Sequence, residues 1–386
     1  MRRLSGYHTM IVSKYLETIK DLINLGLVCK KLRGNMEKFH FNPIPLNFKT
    51  LGYFPNIETL YLWDVKDENF GNGFLTNTNT NEDCENKSVL KKEFYRIIVW
   101  FSVDFETFDR NKSRHIEFKN VTYTENDRKK FGNNITSCVT SIGDFCFCEC
   151  SSLSSVNIPS TVTSIARCCF LGCSSLSSVN IPSSVKSIGD WCFCECNSLS
   201  SITMPYGVIS IGGNCFRACS SLRNVILPSS VTSIGNQCLL GCSGLISVTI
   251  PSSVRSIGDW CFSGCSSLSS VNIPTSVTSI GDFCFCECNS LSSINIPSTV
   301  TSIARCCFNG CSGLISVTIP SSVRSIGDCC FSGCNSLSSV IIPSSMTSIG
   351  EYCFNKCSSL SSVIIPTSVT SIGIQCFPSN TVVERN

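Results

Sequence analysis

The sequence predicts an α/β-type repeat solenoid, a rod of stacked rungs, and three observations predict it. A stretch of 23 residues, V-T-S-I-G-D-x-C-F-x-x-C-S-S-L-S-S-V-x-I-P-S-S, occurs ten times without insertion or deletion, and an eleventh copy is cut short. The same positions of every repeat are apolar. A proline stands at one fixed place near the end of each full repeat. A fixed period of roughly 20–50 residues is typical of repeats that bury their apolar side only by stacking.

Each rung is predicted to contain a short strand near its end. Positions are counted from the first residue of a repeat. Positions 18 and 20 are apolar and position 19 between them faces outward, which is the alternation of a strand with one buried face. Proline at position 21 ends the strand, because it lacks the donor that a β-ladder needs. Ser and Thr around the turns are expected to satisfy backbone groups there. The repeats open at Val139, Val162, Val185, Val208, Val231, Val254, Val277, Val300, Val323, Met346 and Val369.

The middle of each rung is predicted to hold one short helical turn. Glycine after the isoleucine at position 4 predicts a corner, and an aspartate at position 6, such as Asp259, can cap the turn that follows. This turn should send Cys261, Phe262 and Cys265 into the interior from one face. Position 9 is phenylalanine in ten of the eleven repeats, with Leu239 as the exception. These rings are predicted to stack as a continuous spine.

Composition and patterning divide the chain into segments. Residues 1–45 are predicted to form a small helical head that caps the rod. Residues 46–138 are interpreted as an irregular bridge with degenerate leading repeats, and its stretch 69–87, rich in Asn, Gly, Thr and acidic residues, as a mobile loop. Residues 139–377 are the repeats, and 378–386 are a tail.

The head and the bridge carry weaker patterns than the repeats. Apolar residues from Ile11 to Ile19 recur at helical spacing, and Asp21 is predicted to begin a second helical run that ends before Pro43. Three strands are predicted in the bridge from alternating or continuous apolar residues. They cover 57–62, 95–105 and 116–118.

The charge distribution argues against nucleic acid and membrane partners. Of the 30 Lys and Arg residues, 21 precede residue 139, and the repeats are nearly neutral. Such a nearly neutral array does not attract phosphate groups electrostatically. The apolar run 97–101 is too short to span a membrane, and no signal-peptide core follows the basic N-terminus. We therefore expect a cytoplasmic protein without membrane insertion, whose cysteines are thiols.

The 30 cysteines are interpreted mainly as structural residues. Positions 8 and 12 fall in the apolar pattern, where a free cysteine behaves as a small hydrophobic residue. Six further cysteines are expected to be partly exposed, because other repeats carry mixed residues there. C-x-C-x-C runs suit a soft metal ion, but the repeats lack histidine and the middle thiol of a helical turn would face away. We therefore predict no metal and no cofactor. The six are Cys168, Cys306 and Cys329 at position 7, and Cys148, Cys194 and Cys286 at position 10.

The repeat resembles the BspA-like leucine-rich repeat of protist type, with its S-L-x-S-[VI]-x-I-P-x-[SV]-V-x-S-I-G-x-x-[AC]-F-x-x-C signature. The resemblance extends over residues 139–377. It departs at position 8, often alanine in that family and always cysteine here. The resemblance implies a leucine-rich-repeat rod with a strand on its concave side and a protein-binding role. It also implies an adhesion or surface-antigen-like role and display at the cell surface in several members.

The head resembles an F-box in outline. Its motifs are an apolar helix, Asp21-Leu22, and Val28-Cys29-Lys30-Lys31-Leu32, where that family has V-C-K-x-W/L, although Leu4-Ser5 replaces the usual Leu-Pro. This resemblance implies that the head docks the F-box-binding subunit of a ubiquitin ligase. The alternative is a helical cap that covers the end of the solenoid. The candidate docking residues are Ile11, Leu16, Leu22, Val28 and Leu32.

These patterns favour a binding protein over an enzyme. Repeats place like groups in columns, whereas catalysis needs unlike groups that converge. The preferred function is a non-enzymatic protein-protein interaction scaffold, and the alternative is a substrate adaptor of a ubiquitin ligase. Because the repeats are nearly copies of each other, binding specificity must rest on the residues that depart from the repeat consensus. These residues either form a contact surface or are solitary apolar residues on the surface. The candidate contact residues are Arg223, Ile226, Ile246, Ile315, Ile341 and Ile364.

Overall fold

The structure, a computed structural model, describes residues 16–28, 36–74 and 91–386. The chain forms two compact units. The first comprises residues 1–123 with 138–140, and the second comprises residues 124–137 with 141–386. Every helix within the described ranges is too short or too polar to cross a lipid bilayer.

The first compact unit is built around a parallel sheet. Strand β1 (Thr59–Leu62) pairs with β2 (Arg96–Asp104), and β2 pairs with β3 (Ile116–Tyr123), with a bulge between Val99 and Ser102 of β2. The three strands predicted from the bridge are thereby confirmed, and β3 continues five residues beyond the predicted end. The elements are α1 (Ile19–Val28), 3-10 turns at Met36–Lys38 and Leu51–Tyr53, β1 (Thr59–Leu62), β2 (Arg96–Asp104), α2 (Phe105–Asn111) and β3 (Ile116–Tyr123).

Side-chain caps decide where the helices of the first unit begin. Helix α1 starts before Asp21, because the Thr18 hydroxyl accepts a hydrogen bond from the Asp21 N–H at 3.2 Å. Helix α2 was not predicted, and it begins where the Asp104 carboxylate accepts from the Thr107 N–H at 2.8 Å. A polar residue at the end of a strand thus acts as the cap of the following helix. Residues 11–15 of the first predicted helix of the head lie outside the described residues, as do part of the second and residues 75–87 of the predicted loop. Residues 16–18 are not helical, so the prediction is wrong there, and Ile19 is the first residue of α1.

The second compact unit is a parallel β-solenoid that begins with helix α3 (Glu125–Phe131). A reciprocal cap between Thr124 and Asp127 starts α3: the Asp127 N–H donates to the Thr124 hydroxyl, and the Thr124 N–H donates to the Asp127 carboxylate. Each following rung has a strand at positions 3 and 4. This first ladder comprises β4 (Ser141–Ile142), β5 (Ser164–Ile165), β6 (Ser187–Ile188), β8 (Ser210–Ile211), β10 (Ser233–Ile234), β12 (Ser256–Ile257), β13 (Ser279–Ile280), β15 (Ser302–Ile303), β17 (Ser325–Ile326), β19 (Ser348–Ile349) and β21 (Ser371–Ile372).

A second ladder follows the predicted strand near the end of each repeat. Single parallel bridges at Asn157, Asn180 and Asn272 take the place of longer strands in three rungs. Residues pair with their counterparts one repeat later, as Ile234 does with Ile257 in the first ladder and Val317 with Val340 in the second. The strands of the second ladder are β7 (Ser201–Thr203), β9 (Asn224–Ile226), β11 (Ser247–Thr249), β14 (Ser293–Asn295), β16 (Ser316–Thr318), β18 (Ser339–Ile341), β20 (Ser362–Ile365) and, at its end, β22 (Val382–Arg385).

The core consists of the predicted columns. Positions 1, 4, 8, 9, 15, 18 and 20 are buried from the second rung through the tenth, and so is position 12. Phenylalanine rings at position 9 stack with centroids 5.2–5.5 Å apart and interplanar angles of 1–12°. Leu239 occupies the same column between Phe216 and Phe262. The spine and its one interruption are confirmed.

The corner after the second strand also follows the prediction. The Val254 N–H donates to the Pro251 carbonyl at 3.1 Å, and the same turn recurs in every rung. The hydroxyl at position 23 satisfies the carbonyl at position 1 of the same repeat: Ser276 Oγ donates to the Val254 carbonyl at 2.7 Å. The last residues were predicted only as a tail, but they form β22, which pairs with β20.

The predicted helical turn in the middle of the rung is wrong. The N–H groups at positions 10 and 12 donate to carbonyls three residues back, as the Cys286 N–H does to the Phe283 carbonyl at 3.1 Å. The N–H groups at positions 7, 9 and 11 instead bond to the next rung, as from Phe285 to Cys307 at 2.8 Å. Position 7 has positive φ in all eleven rungs, including 58° at Trp260. The interior direction of the cysteines and phenylalanines is nevertheless as predicted, because both kinds of bond keep their side chains inside.

Candidate protein-interaction surface

The second ladder presents an exposed face to solvent. In its three-residue strands the middle side chain, at position 18, is buried and the two flanking side chains, at positions 17 and 19, are exposed. This is the alternation of a strand with one covered face. We call the exposed side chains at positions 16, 17 and 19 the outer strand face. Most of them are Ser, Thr or Asn.

Three of the candidate contact residues stand at position 19 of the outer strand face. Ile226 is 65% exposed, Ile341 is 70% exposed and Ile364 is 52% exposed. In the other full repeats this position holds Asn or Thr. Isoleucine loses favourable burial at such a site, so these three side chains are available for contact with another molecule.

The remaining candidates stand at position 16, immediately before the second ladder. Ile246 is 42% exposed and Ile315 is 55% exposed. The Ile246 N–H donates to the Arg223 carbonyl at 2.8 Å, which places these two residues in adjacent rungs. Together with serines, they line an open depression of about 630 Å³.

A second depression lies at the end of the outer strand face. It has a volume of about 630 Å³ and is lined by Ile341 and Ile364 from neighbouring rungs, with Asn386 at one side. Strand β22 continues the sheet beyond Ile364, which pairs in register with Glu384. The structure therefore groups four of the six candidates into two depressions. Ile226 and Ile315 lie on the same face, but they do not line either depression.

The candidate docking residues of the head are only partly described. Leu22 is buried and Leu16 is half-buried. Val28 is the last residue of α1. Ile11 and Leu32 lie outside the described residues.

An aromatic column at position 7 was not predicted. The rings of Trp260 and Phe283 stack with centroids 3.9 Å apart, and the Arg305 guanidinium lies 5.0 Å from the centre of the Phe283 ring. Arg167 and Arg217 cover Phe145 and Trp191 in the same way. The signal was present, since five of the eleven repeats carry Phe, Trp or Tyr at this position. The other repeats carry mixed residues at position 7, which concealed that the position-7 side chains of all the repeats form one column.

The regular cysteine columns are part of the core. At position 12 the thiol donates to a position-9 carbonyl of the preceding rung, as from Cys265 to Leu239 at 3.3 Å. Position 8 is fully buried in most rungs. Burial raises the pKa of Cys238 and of Cys311 to about 12. Such thiols stay protonated and unreactive at neutral pH.

The prediction for the six extra cysteines is wrong for four of them. Stacking of the rungs buries the side chains of Cys168, Cys194, Cys286 and Cys306, because each is covered by residues of its neighbours along the column. Cys148 and Cys329 are half-buried, as predicted. Within the described part of the chain, no cluster of three or more His, Cys, Asp or Glu side chains is arranged to hold a metal ion.

Fold and surface together define a leucine-rich-repeat solenoid with a strand face open to contact. The family model for the BspA type leucine rich repeat region matches this chain in three overlapping stretches, 127–245, 192–314 and 278–385. The chain belongs to this family. The model leaves residues 1–126 unmatched, so it lends no support to the F-box interpretation of the head. No curated protein sequence matched the chain.

Three solved structures are similar to this chain. A leucine-rich repeat protein from Bacteroides ovatus is 30% identical, with 74% of this chain and 78% of that chain covered, and its TM-score is 0.54. The T. pallidum leucine rich repeat protein is 32% identical over 45% of this chain and 77% of its own, with a TM-score of 0.40. A leucine rich cell surface protein from Faecalibacterium prausnitzii is 26% identical over 72% of this chain and 83% of its own, also with a TM-score of 0.40.

Proposed function

We propose that this protein is a non-enzymatic scaffold whose outer strand face binds a protein partner. The observation that carries the proposal is the replacement of Asn or Thr by exposed isoleucine at position 19 of only three rungs. The fold does not need isoleucine there, since the other full rungs form the same corner and core without it. Membership of a leucine-rich-repeat family supports the same conclusion.

The arrangement suits recognition of an apolar segment of a partner. Ile341 and Ile364 form a pair in one depression, and serine hydroxyls surround them. Arg223 and Ile246 offer a second anchor, with a positive charge beside an apolar side chain. Energetically dominant contacts in interfaces are few, and apolar or arginine anchors within a polar rim are typical of them.

Restoring the consensus residue tests this function. The triple variant Ile226→Asn, Ile341→Asn, Ile364→Asn should fold as the unchanged protein does, because Asn occupies the same position in rungs such as the one containing Asn272. We expect affinity capture from the native cell, under reducing conditions, to retain a protein on the full chain. The triple variant should lose that protein.

A matched control separates loss of the isoleucines from a general change in the strands. The variant Thr203→Asn, Thr249→Asn, Thr318→Asn makes three changes to Asn at the same position in other rungs. It should capture the partner as the unchanged protein does. The proposal fails if the isoleucine variant, shown to be folded by circular dichroism, captures the same protein in the same amount.

A further inference from the structure

Side chains at position 7 of adjacent rungs are in direct contact, and one adjacent pair is two cysteines. The rings of Trp260 and Phe283 show the contact, with centroids 3.9 Å apart. Cys306 and Cys329 hold this position in the next two rungs along the column. Burial is the main cause that raises the pKa of the Cys306 thiol, and the nearby Cys329 thiol adds to it.

The backbone holds the two cysteines parallel and in register. The Cys306 N–H donates to the carbonyl of Asp328, the residue before Cys329, at 2.9 Å. The φ angles are 53° at Cys306 and 54° at Cys329, so both residues have the same left-handed conformation. Adjacent parallel rungs lie about 4.8 Å apart. This spacing falls within the range of about 4.4–6.8 Å between Cα atoms that a disulfide spans.

Exposure distinguishes Cys329 from the regular cysteine columns. Cys329 is half-buried and reaches the surface. Cys330 follows Cys329 in the chain, and Cys307 holds the same position as Cys330 in the preceding rung. Both residues are fully buried. Burial also raises the pKa of Cys307 and Cys330 well above the ordinary value, so these thiols do not ionise at neutral pH. A small oxidant in solution therefore reaches Cys329 before it reaches Cys307 or Cys330.

We propose that Cys306 and Cys329 form a site of reversible oxidation, in which a peroxide converts the two thiols into a disulfide between adjacent rungs. The Cys329 sulfur attacks one peroxide oxygen, the O–O bond breaks, and a sulfenic acid and one water result. The Cys306 sulfur then attacks the sulfenic sulfur, and the S–S bond forms as the S–O bond breaks and a second water leaves. In balance, two thiols and one hydrogen peroxide give one disulfide and two waters.

Peptide mapping of the full chain tests this assignment. The reduced protein is treated with hydrogen peroxide in native buffer and the peroxide is removed. The remaining thiols are alkylated in denaturant, and trypsin is added. Cleavage after Arg305, Arg324 and Lys356 separates Cys306 from Cys329. We expect peptides 306–324 and 325–356 to be joined, with fragment ions that place the link at Cys306 and Cys329, and dithiothreitol to separate them.

Two variants sharpen the result. Cys329→Ser should abolish the link and leave Cys306 alkylated. Cys168→Ser is the matched control, because Cys168 stands at position 7 between Phe145 and Trp191 and has no thiol beside it in the column. The control should retain the full link. The unchanged protein decides the matter alone if Cys329→Ser does not fold: alkylation of both Cys306 and Cys329 after peroxide, or links placed at Cys307 and Cys330 instead, would overturn the proposal.

Discussion

At the scale of single residues, the side chain at position 6 joins rungs. Asp282 Oδ1 accepts the Arg305 N–H of the next rung at 3.0 Å. The Asn236 side chain does the same for the Asp259 N–H at 3.0 Å. The sequence indicated a cap, but within one rung. Spacing inside one repeat cannot show that a carboxylate points along the stack, because the N–H group from which it accepts lies 23 residues away in the chain.

Replacing Asp282 tests this bridging role. Asp282→Ala leaves the Arg305 N–H without its acceptor, and we expect the free energy of unfolding to fall by about 1 kcal/mol, the usual value of one such hydrogen bond. Asp282→Asn keeps an oxygen acceptor and should have a far smaller effect, as Asn236 shows in its own rung. Urea denaturation of both variants gives the two values. Equal losses would mean that the carboxylate charge matters and the bridge does not.

At the scale of elements, the segment after position 6 is where local reasoning failed. Bulky residues such as Trp260 and Phe283 have positive φ, which non-glycine residues rarely adopt. Hydrogen bonds to the next rung and stacking between side chains compensate for this conformation. Neither compensation is visible in the propensity of one segment. The strands at positions 17–19 were predictable, because alternation and the following proline act within the segment itself.

Replacing each of two phenylalanines of one rung compares the core with the column at position 7. Phe285 is fully buried and stacks on Phe262 and Phe308. Its replacement by alanine should lower the free energy of unfolding by about 3–5 kcal/mol, because the rigid stack cannot close the cavity. Phe283→Ala removes the same ring from a half-buried position and should cost much less. Chemical denaturation measures both, and comparable costs would contradict the central place of the spine.

At the scale of the whole molecule, the repeat period determines the fold of the second compact unit. The predicted columns proved to be the core, because an apolar position that recurs at every 23rd residue has one place to be buried in a stack. The contact surface was less predictable. Departures from the repeat consensus identified the candidate contact residues. Only the three-dimensional structure shows that Arg223 and Ile246 share one depression and that Ile341 and Ile364 share another.

The central claim is that one repeat equals one coil of the solenoid. Deleting residues 254–276 removes one complete repeat and joins Ser253 to Val277, so every column stays in register. Deleting residues 254–265 removes about half a repeat and puts all later rungs out of register with the earlier ones.

Circular dichroism and urea unfolding of these two deletion variants provide the most direct measurement. We predict that the whole-repeat variant keeps the spectrum of the unchanged protein and unfolds cooperatively, whereas the half-repeat variant loses cooperative unfolding. Loss of folded structure in both variants, or its retention in both, would contradict the account.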